Sequence, residues 1–403
     1  MKVKIKNLIE SVSDTFQFTA NKVHFLNTGD ILDGKIINDK IYNIEELKGQ
    51  AKKSIRNGDI LYSEIRPKNR HFALVTLKNP EDYVVSTKLM VLRKKSDEVD
   101  LKYLYYLLTN NAFLNILQMR AENRICSFPQ ITFDVLGEYE FDIPNLEKQR
   151  KIASILSEID MQLERNNMMV HKLQVLAQTT YSRWFNQFEF PNEDGLPYKS
   201  SGGKMVWNDE LKREIPEDWN VDEVLNLINW QSSSQPPKSD FSSEMQDGYI
   251  RFIQNRDYDS DTHIIYIPIA TNTKTCTQYD IMIDKYGDAG RTRYGLCGAY
   301  NVALAKIEPI FNNYQEYLRK YFEQEHIYRF LHKACIASTR ASLNENILSG
   351  LTIVIPDDKI LALFENAQKG IINQILSIQK ENNHLQSLKN SILPLLINGQ
   401  LNI

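Results

Sequence analysis

Apolar residues recur at alternating intervals of four and three positions in two long stretches of the chain. The first stretch runs from about Leu146 to Phe185 and the second from about Asp358 to Ile397, and both are rich in helix-forming residues. Gly370 is a weak position in the second stretch, and Pro394 lies close to its end. This spacing predicts two long helices whose apolar seams pack as a coiled coil.

Each seam carries one asparagine, which predicts the direction of packing. Parallel packing in the shared register, at an offset of 212, would place Asn166 against Ile378. Antiparallel packing pairs positions whose numbers sum to 548, so that Asn166 meets Asn382. A buried amide without a partner costs roughly 1–3 kcal/mol, so we predict the antiparallel arrangement; the alternative is that both asparagines lie at the seam edge and reach water. The predicted packing residues are Leu163, Asn166, Val170, Trp184, Phe364, Ile378, Asn382 and Leu385.

A globular region precedes each long helix, and both regions mix strand and helix patterns. Motifs recur between them, since Asp59–Ser63 resembles Asp280–Asp284 and Asn7–Ile9 resembles Asn226–Ile228. The predicted strands are Ile55–Ile65, Tyr83–Leu92, Tyr249–Ile253, Ile264–Ile269, Asp280–Ile283 and Asn301–Lys306, and the predicted shorter helices are Lys102–Gln118 and Tyr314–Lys333. The chain therefore has an α+β fold in which two similar globular regions are joined by two long helices.

The same patterns predict the domain boundaries. We expect a first globular region at 1–143, a first long helix at 144–190, a linker without regular structure at 191–217, a second globular region at 218–355, and a second long helix with a C-terminal tail at 356–403. About 33 residues of helix span roughly 50 Å. An antiparallel pair of this length would relate the two regions by an approximate twofold, which is also the local symmetry of duplex DNA.

Composition limits the classes of function. The 403 residues include 48 Lys and Arg against 51 Asp and Glu, for a net charge of −3, so a nucleic acid could be bound only by local basic patches. The four cysteines are far apart, the N-terminus has no apolar signal core, and no stretch approaches 18 apolar residues. We expect a cytoplasmic chain with reduced thiols and no membrane span.

Catalytic motifs are missing from the sequence. Gly202-Gly203-Lys204 lacks the earlier glycine and the following Ser or Thr of a phosphate-binding loop, and Gln235-Pro236-Pro237 lacks the Asn or Asp of a methyltransferase catalytic loop. The seven histidines are scattered without metal-ligand spacing. We therefore predict no catalytic residue, no metal site and no cofactor bound by this chain.

Basic turns are the candidate DNA-contact sites. Between Lys48 and Lys95 twelve Lys and Arg stand against four Asp and Glu, a net charge of +8. In the second region Gly287 and Gly290 would let a loop approach a phosphate backbone. Arg and Asn side chains bind guanine and adenine edges. The predicted DNA-binding residues are Ser63, Arg66, Lys68, Asn69, Arg70, Lys88, Arg120 and Arg124 in the first region, and Lys285, Tyr286, Arg291, Arg293, Arg340 and Asn344 in the second.

Several segments give the chain a resemblance to a known family. They run from Ile143-Pro-Asn-Leu-Glu-Lys-Gln-Arg150 through Trp184-Phe185, Phe188-Glu-Phe190, Asp194-Gly-Leu-Pro-Tyr198 and Ile215-Pro-Glu-Asp-Trp219 to Leu393-Pro-Leu-Leu-Ile-Asn-Gly399. Over essentially its whole length the chain resembles the specificity subunit of type I restriction-modification systems.

The resemblance implies a function. It implies two target recognition domains that bind the two parts of a split, asymmetric double-stranded DNA target, without catalysis by this chain. It also implies two methyltransferase (modification) subunits docked on the helices, together with restriction (nuclease-translocase) subunits. S-adenosylmethionine, ATP and magnesium would act on those partners in adenine methylation and DNA cleavage. The alternative is a coiled-coil adaptor whose globular regions bind proteins.

Overall fold

The computed structural model describes residues 2–18, 21–47, 49, 51–123, 129–337 and 342–401, which fold into two compact units. Unit 1 comprises Met1–Arg165 and Glu381–Ile403, and unit 2 comprises Asn166–Lys380. Each long helix therefore contributes one part to unit 1 and the other part to unit 2.

Unit 1 combines short strands with four short helices and the beginning of a long one, within the described residues. Its strands are β1 (Lys2–Lys4), β2 (Ile9–Val12), β3 (Lys22–Leu26), β4 (Ile31–Leu32), β5 (Lys35–Ile36), β6 (Ile41–Asn43), β7 (Ala51–Ser54), β8 (Ile60–Ser63), β9 (Phe72–Leu74), β10 (Tyr83–Ser86), β11 (Leu89–Lys94) and β12 (Glu140–Asp142). Its helices are α1 (Ile5–Leu8), α2 (Leu101–Thr109), α3 (Asn111–Glu122), α4 (Phe133–Gly137) and the start of α5 (Leu146–Tyr181).

Two four-stranded sheets form the centre of unit 1. One has the antiparallel order β2-β11-β8-β9, and the other has the order β6-β3-β10-β7 with β3 and β10 parallel. Successive side chains of a strand point to opposite faces of its sheet. In β8 the side chains of Ile60 and Tyr62 accordingly pack in the core that contains α2 and α3, whereas Leu61 packs in the core between the two sheets. This alternation explains why β8 is buried on both faces.

Unit 2 begins with the end of α5 and contains these further elements. Its strands are β13 (Met205–Asn208), β14 (Arg213–Pro216), β15 (Asn220–Glu223), β16 (Ile228–Ser232), β17 (Tyr249–Ile253), β18 (Tyr266–Pro268), β19 (Thr275–Cys276), β20 (Ile281–Asp284), β21 (Thr292–Arg293), β22 (Gly298–Tyr300), β23 (Leu304–Pro309) and β24 (Thr352–Ile355). Its further helices are α6 (Gln315–Phe322), α7 (Glu325–Ala337) and the larger part of α8 (Asp358–Ile397).

The sheets of unit 2 repeat those of unit 1. The order β16-β23-β20-β21 corresponds to β2-β11-β8-β9, and the order β18-β17-β22-β19 corresponds to β6-β3-β10-β7. The parallel pair β17–β22 corresponds to β3–β10, and the pair β15–β24 corresponds to β1–β12. The predicted α+β fold with two similar globular regions is confirmed.

Within each unit, α5 and α8 run antiparallel. In unit 1, Ile152 and Leu156 of α5 share a core with Leu396 of α8, and further along α5 the carboxylate of Asp160 pairs with Lys389. As residue numbers increase along α5, the numbers of the contacting residues of α8 decrease, as the antiparallel prediction requires.

The part of the helix pair in unit 2 shows the same direction. The Trp184 and Phe364 ring centroids lie 5.7 Å apart, which confirms one pair of the predicted 548 register. Nearby, the Gln368 Nε2 donates to the Ala177 carbonyl at 3.2 Å. All eight predicted packing residues are buried or half-buried. The pairing of Asn166 with Asn382 stays a prediction.

Several predicted boundaries need correction. A turn at Asn57-Gly58 limits the strand expected over Ile55–Ile65 to β8, and the strand expected over Tyr83–Leu92 divides at Thr87–Lys88 into β10 and β11, which belong to different sheets. The helix expected over Lys102–Gln118 breaks at Asn110, whose side chain accepts from the Phe113 N–H at 2.9 Å and caps α3.

Two further corrections concern a helix of the second globular region and the linker. The helix expected over Tyr314–Lys333 breaks between α6 and α7 at Glu323–Gln324. The linker at 191–217, expected to lack regular structure, contains the antiparallel hairpin β13–β14, in which Val206 pairs with Ile215. Ile215 is buried in the core of unit 2, and this burial stabilises a hairpin that the polar composition obscures.

Candidate nucleic-acid interface

In unit 1 the loop that joins β8 to β9, residues 64–71, carries four of the predicted DNA-binding residues. Its backbone is held at two points, since the Arg66 N–H donates to the Pro129 carbonyl at 3.0 Å and the Lys68 N–H donates to Gln118 Oε1 at 3.3 Å. Gln118 belongs to α3, the helix that also carries Arg120. The Arg66, Lys68 and Arg120 side chains are exposed, so a fixed backbone presents three cations to solvent.

A cavity of about 240 Å³ lies at the base of this loop. It brings together Ser63, Arg66 and Asn69, which the sequence predicts, with Thr28 and His71, which sequence reasoning missed. The Ser63 hydroxyl is used internally, because it donates to the Ile65 carbonyl at 3.1 Å and accepts from the Ile65 N–H at 3.0 Å. The groups that remain for a ligand are therefore mainly the Arg66 guanidinium and the Asn69 amide.

The basic residues of unit 1 fall into two classes. Arg66, Lys68, Lys88 and Arg120 are exposed, and their charged ends have no hydrogen-bond or ion-pair partner among the described residues. The second class has partners within the unit. The guanidinium of Arg70 lies 2.7 Å from Asp33, that of Arg93 lies 2.8 Å from the buried Asp59, and the Lys53 ammonium donates to two backbone carbonyls. Burial lowers the pKa of Lys53. The positive charge available to a ligand is thus smaller than the sequence total.

The loop between β20 and β21 of unit 2, residues 285–291, occupies the equivalent place. The Lys285 N–H donates to the Ala303 carbonyl at 2.8 Å, and its carbonyl accepts from the Leu343 N–H at 2.9 Å. In unit 1 the Glu64 N–H and carbonyl make the corresponding bonds to Lys88 and Ile131, at 3.3 and 2.8 Å. Both loops therefore lie between the same two neighbouring segments of their units.

The arginines of the unit 2 loop have acidic partners. Arg291 Nη1 donates to Asp288 Oδ2 at 2.9 Å. The Arg293 guanidinium is only 10% exposed and lies 3.1 Å from both Asp284 and Asp259. Burial raises the pKa of Asp284 to about 6, although the adjacent guanidinium opposes this shift. Neither arginine presents a free cation as the sequence suggested.

The other candidates of unit 2 are more accessible. Lys285 donates to Ser232 Oγ at 3.2 Å, the Tyr286 ring is 42% exposed, and Asn344 is exposed. Arg124 and Arg340 lie outside the described residues. DNA contact stays a prediction for every residue of the set.

The described residues contain neither a membrane-spanning helix nor a cluster of metal ligands. No helix there is long and apolar enough to cross a membrane. Within the same residues, no group of three or more His, Cys, Asp or Glu side chains could hold a metal ion.

Comparison with known proteins shows which proteins the chain resembles. Residues 1–169 match the family model described as the type I restriction modification DNA specificity domain. The chain is 27% identical to the HindI specificity subunit of a type I restriction enzyme from Haemophilus influenzae, over 98% of both chains. It is 24% identical to the MjaIX specificity subunit of Methanocaldococcus jannaschii, over 82% of this chain and 77% of that protein. The chain is thus similar, over almost its whole length, to type I restriction enzyme specificity subunits.

A solved structure has a similar fold. The type I specificity subunit from M. genitalium has a TM-score of 0.60 at 14% identity, covering 98% of this chain and 96% of that chain.

Proposed function

We propose that this chain is the specificity subunit of a type I restriction-modification complex. It binds a bipartite, asymmetric DNA target, with one half-site on each unit, and directs adenine methylation or cleavage by its partner subunits. One observation carries the proposal: the same arrangement of two sheets occurs twice, and each copy holds a polar loop at the same place. A repeated scaffold with a repeated loop is suited to two separate DNA segments.

Unit 1 has the side chains that such a loop needs. The free guanidinium of Arg66 is suited to paired hydrogen bonds with guanine O6 and N7, and the Asn69 amide is suited to adenine. Lys68, Lys88 and Arg120 are exposed around them and are suited to phosphate oxygens. A short contact region of this kind can recognise only a few base pairs.

The two loops differ in their side chains, which supports an asymmetric target. Where unit 1 has Arg66, Lys68 and Asn69, the loop of unit 2 has Tyr286, Asp288 and Arg291. Since base edges are distinguished by their donor and acceptor patterns, loops of different chemistry select different half-sites.

Partner subunits have a candidate docking surface on α5. Within unit 2 the side chains of Met168, Met169, Val175 and Leu176 are each at least half exposed, and they lie outside the seam that faces α8. Contiguous exposed apolar side chains commonly mark protein interaction sites. We assign this surface to the modification subunits, of which two are proposed, with restriction subunits joining the same complex.

The proposed cofactors act on the partners. S-adenosylmethionine is assigned to the modification subunits, and ATP and magnesium to the subunits that cleave and translocate DNA. A chain that works on chromosomal and invading DNA with these partners acts in the cytoplasm.

The salt dependence of DNA affinity tests the proposal against a protein-binding adaptor. The subunit is combined with modification subunits and titrated with a duplex that carries the mapped target, between about 50 and 200 mM salt. We expect affinity to fall steeply with salt, and Lys68→Ala to reduce the slope of log affinity against log salt by about one.

A matched control uses Lys102, which is exposed at the start of α2. Its neighbour Leu101 lies beside Gly58, which precedes β8, whereas the loop at 64–71 follows β8. Lys102 is therefore near the opposite end of β8 from this loop. Lys102→Ala should leave the slope unchanged. An affinity that is insensitive to salt, with equal effects of the two substitutions, would favour the adaptor.

A further inference from the structure

Unit 2 has a cavity with both polar and apolar walls near its loop at 285–291. It has a volume of about 300 Å³ and lies between the segment Ser233–Pro237, which follows β16, and the turn at 270–274, which joins β18 to β19. Phe252, Ala299 and Tyr300 also line it. Ser232, the last residue of β16, accepts a hydrogen bond from the Lys285 ammonium at 3.2 Å. The cavity, which we call the groove of unit 2, is therefore adjacent to the loop at 285–291.

Three side chains of the groove have unused hydrogen-bonding capacity. Gln235, Asn272 and Lys274 line the cavity and are exposed, and their polar ends have no partner within the part of the chain that the structure describes. Two amides and one ammonium with no internal role are available to a ligand that offers both acceptors and donors.

The backbone beneath these side chains is fixed. The Ala270 N–H donates to Thr273 Oγ1 at 2.9 Å, and the Thr273 N–H donates back to the Ala270 carbonyl at 3.0 Å. The Lys274 carbonyl accepts from the Tyr300 N–H at 3.3 Å. A fixed backbone with free side chains reduces the ordering cost of binding, which favours specific contacts.

The corresponding turn of unit 1 has different chemistry. There the connection between β6 and β7 carries Glu45 and Glu46, and Glu46 Oε1 accepts from the Asn43 amide at 2.8 Å. The scaffold on both sides of the turn is shared by the two units, while the sequence of the turn differs: positions 44–50 of unit 1 carry Glu45 and Glu46 besides Lys48 and Gln50, and positions 269–274 of unit 2 carry no carboxylate. This is the expected distribution if the turn selects bases and the sheets only support it.

We propose that the groove formed by Gln235, Asn272 and Lys274 contacts base edges in the half-site of unit 2. This proposal rests on the proposed function and adds the residues that determine specificity in that unit. An Asn or Gln amide pairs with adenine N6 and N7, a Lys ammonium binds guanine O6 and N7, and the apolar Pro236 and Ala270 can contact a thymine methyl group. Lys285 is then placed to hold a neighbouring phosphate.

The base preference of alanine variants tests the groove. Gln235→Ala, Asn272→Ala and Lys274→Ala are each expressed with modification subunits, and methylated adenines are mapped across the genome. Each substitution is expected to relax one position of one half-site, with roughly a tenfold to hundredfold loss of discrimination against the wrong base pair in duplex binding. The other half-site stays unchanged and shows that the chain is folded.

Two further variants make the test decisive. Lys199→Ala removes an exposed lysine elsewhere in unit 2 and should leave both half-sites unchanged. Gln235→Glu keeps the size of the side chain but replaces the amide N–H donors with a carboxylate oxygen. This variant should disfavour a base that accepts a hydrogen bond from Gln235, and it should leave the preference at all other positions of the target unchanged.

The outcomes separate this proposal from the proposed function. Base contact by the groove would be contradicted if all the groove variants kept the original target, or if they lost affinity equally for every DNA sequence. Either result would still be compatible with a bipartite target. If the unsubstituted chain imposed no sequence preference on methylation, the proposed function itself would fail.

Discussion

Arg293 and Asp284 form an enclosed ion pair beside the loop of unit 2. The Asp284 carboxylate is 1% exposed, and the Arg293 guanidinium donates to its Oδ2 from two nitrogens at 3.1 and 3.2 Å. Removing one member of a buried pair leaves the other charge uncompensated. At the residue scale, therefore, Arg293 belongs to the support of the loop, and Lys285 belongs to its accessible surface.

Substitution of these two residues should separate stability from binding. Arg293→Ala should lower the free energy of unfolding by about 3–5 kcal/mol, because Asp284 loses its counter-charge. Lys285→Ala should change stability by less than about 1 kcal/mol and weaken DNA binding instead. Denaturant unfolding and DNA titration of both variants check this. Native stability of Arg293→Ala together with a lost base preference would restore Arg293 as a DNA contact.

The raised pKa of Asp284 predicts a pH dependence of stability. With a folded pKa of about 6 against an ordinary value of 3.8, the folded state binds more protons than the unfolded state between these values. This contribution is fully present below about pH 4 and is lost as the pH rises through 6, and it amounts to about 3 kcal/mol. Asp284→Asn should abolish it. Parallel unfolding curves of the two proteins from pH 4 to 7 would contradict the assignment.

Sequence could predict where the polar loops lie, but not which of their charges are free. Arg70 pairs with Asp33, and Arg293 pairs with Asp259 in addition to Asp284; Asp33 and Asp259 lie 37 and 34 positions away from their arginines in the sequence. Such pairs depend on sheet topology, so a count of local charge overestimates the cationic surface. Thr28 was missed for the same reason, since the fold brings it to Arg66, whereas His71 belongs to the same loop as Arg66 and could have been included from the sequence.

At the scale of the elements, the helix seam was the most predictable feature. The bounds of α8 agree with the sequence pattern, because 3.6-residue periodicity is local and the single glycine before Pro394, Gly370, is too weak an interruption to end the helix. The strands were less predictable. Tyr83–Leu92 was expected to be one strand, yet it divides at the polar Thr87–Lys88 because the two apolar halves pair with different sheets.

Phe364 should be the residue of α8 on which packing depends in unit 2. Its ring is fully buried and lies 4.8 Å from Phe185 and 5.7 Å from Trp184 between centroids. Phe364→Ala should cost about 3–5 kcal/mol in the free energy of unfolding. The control Leu363→Ala, at a neighbouring position that is 52% exposed, should cost less than about 0.5 kcal/mol. Equal costs in chemical denaturation would contradict the packing of this helix.

At the scale of the whole molecule, both long helices run from one unit into the other, so we expect their length to set the spacing of the half-sites. Seven residues inserted into both α5 and α8 keep the heptad register and add about 10 Å. That distance is near three base pairs. The mapped target should keep its half-sites and gain about three unread pairs.

The control for this change is the same insertion beside Gly202, which lies in an exposed turn of unit 2. It lengthens the chain without lengthening either helix and should leave the spacer unchanged. A spacer that stays constant after insertion into the helices would show that they do not measure the distance.

The genome-wide map of methylated adenines after exchange of one globular region tests the central claim most directly. Residues 1–143 are replaced by the equivalent region of another type I specificity subunit, and the hybrid is expressed with the same modification subunits. If each unit binds its own half-site, one half of the target changes to that of the donor and the other half is retained. A target that changes in both halves, or in neither, would contradict the account.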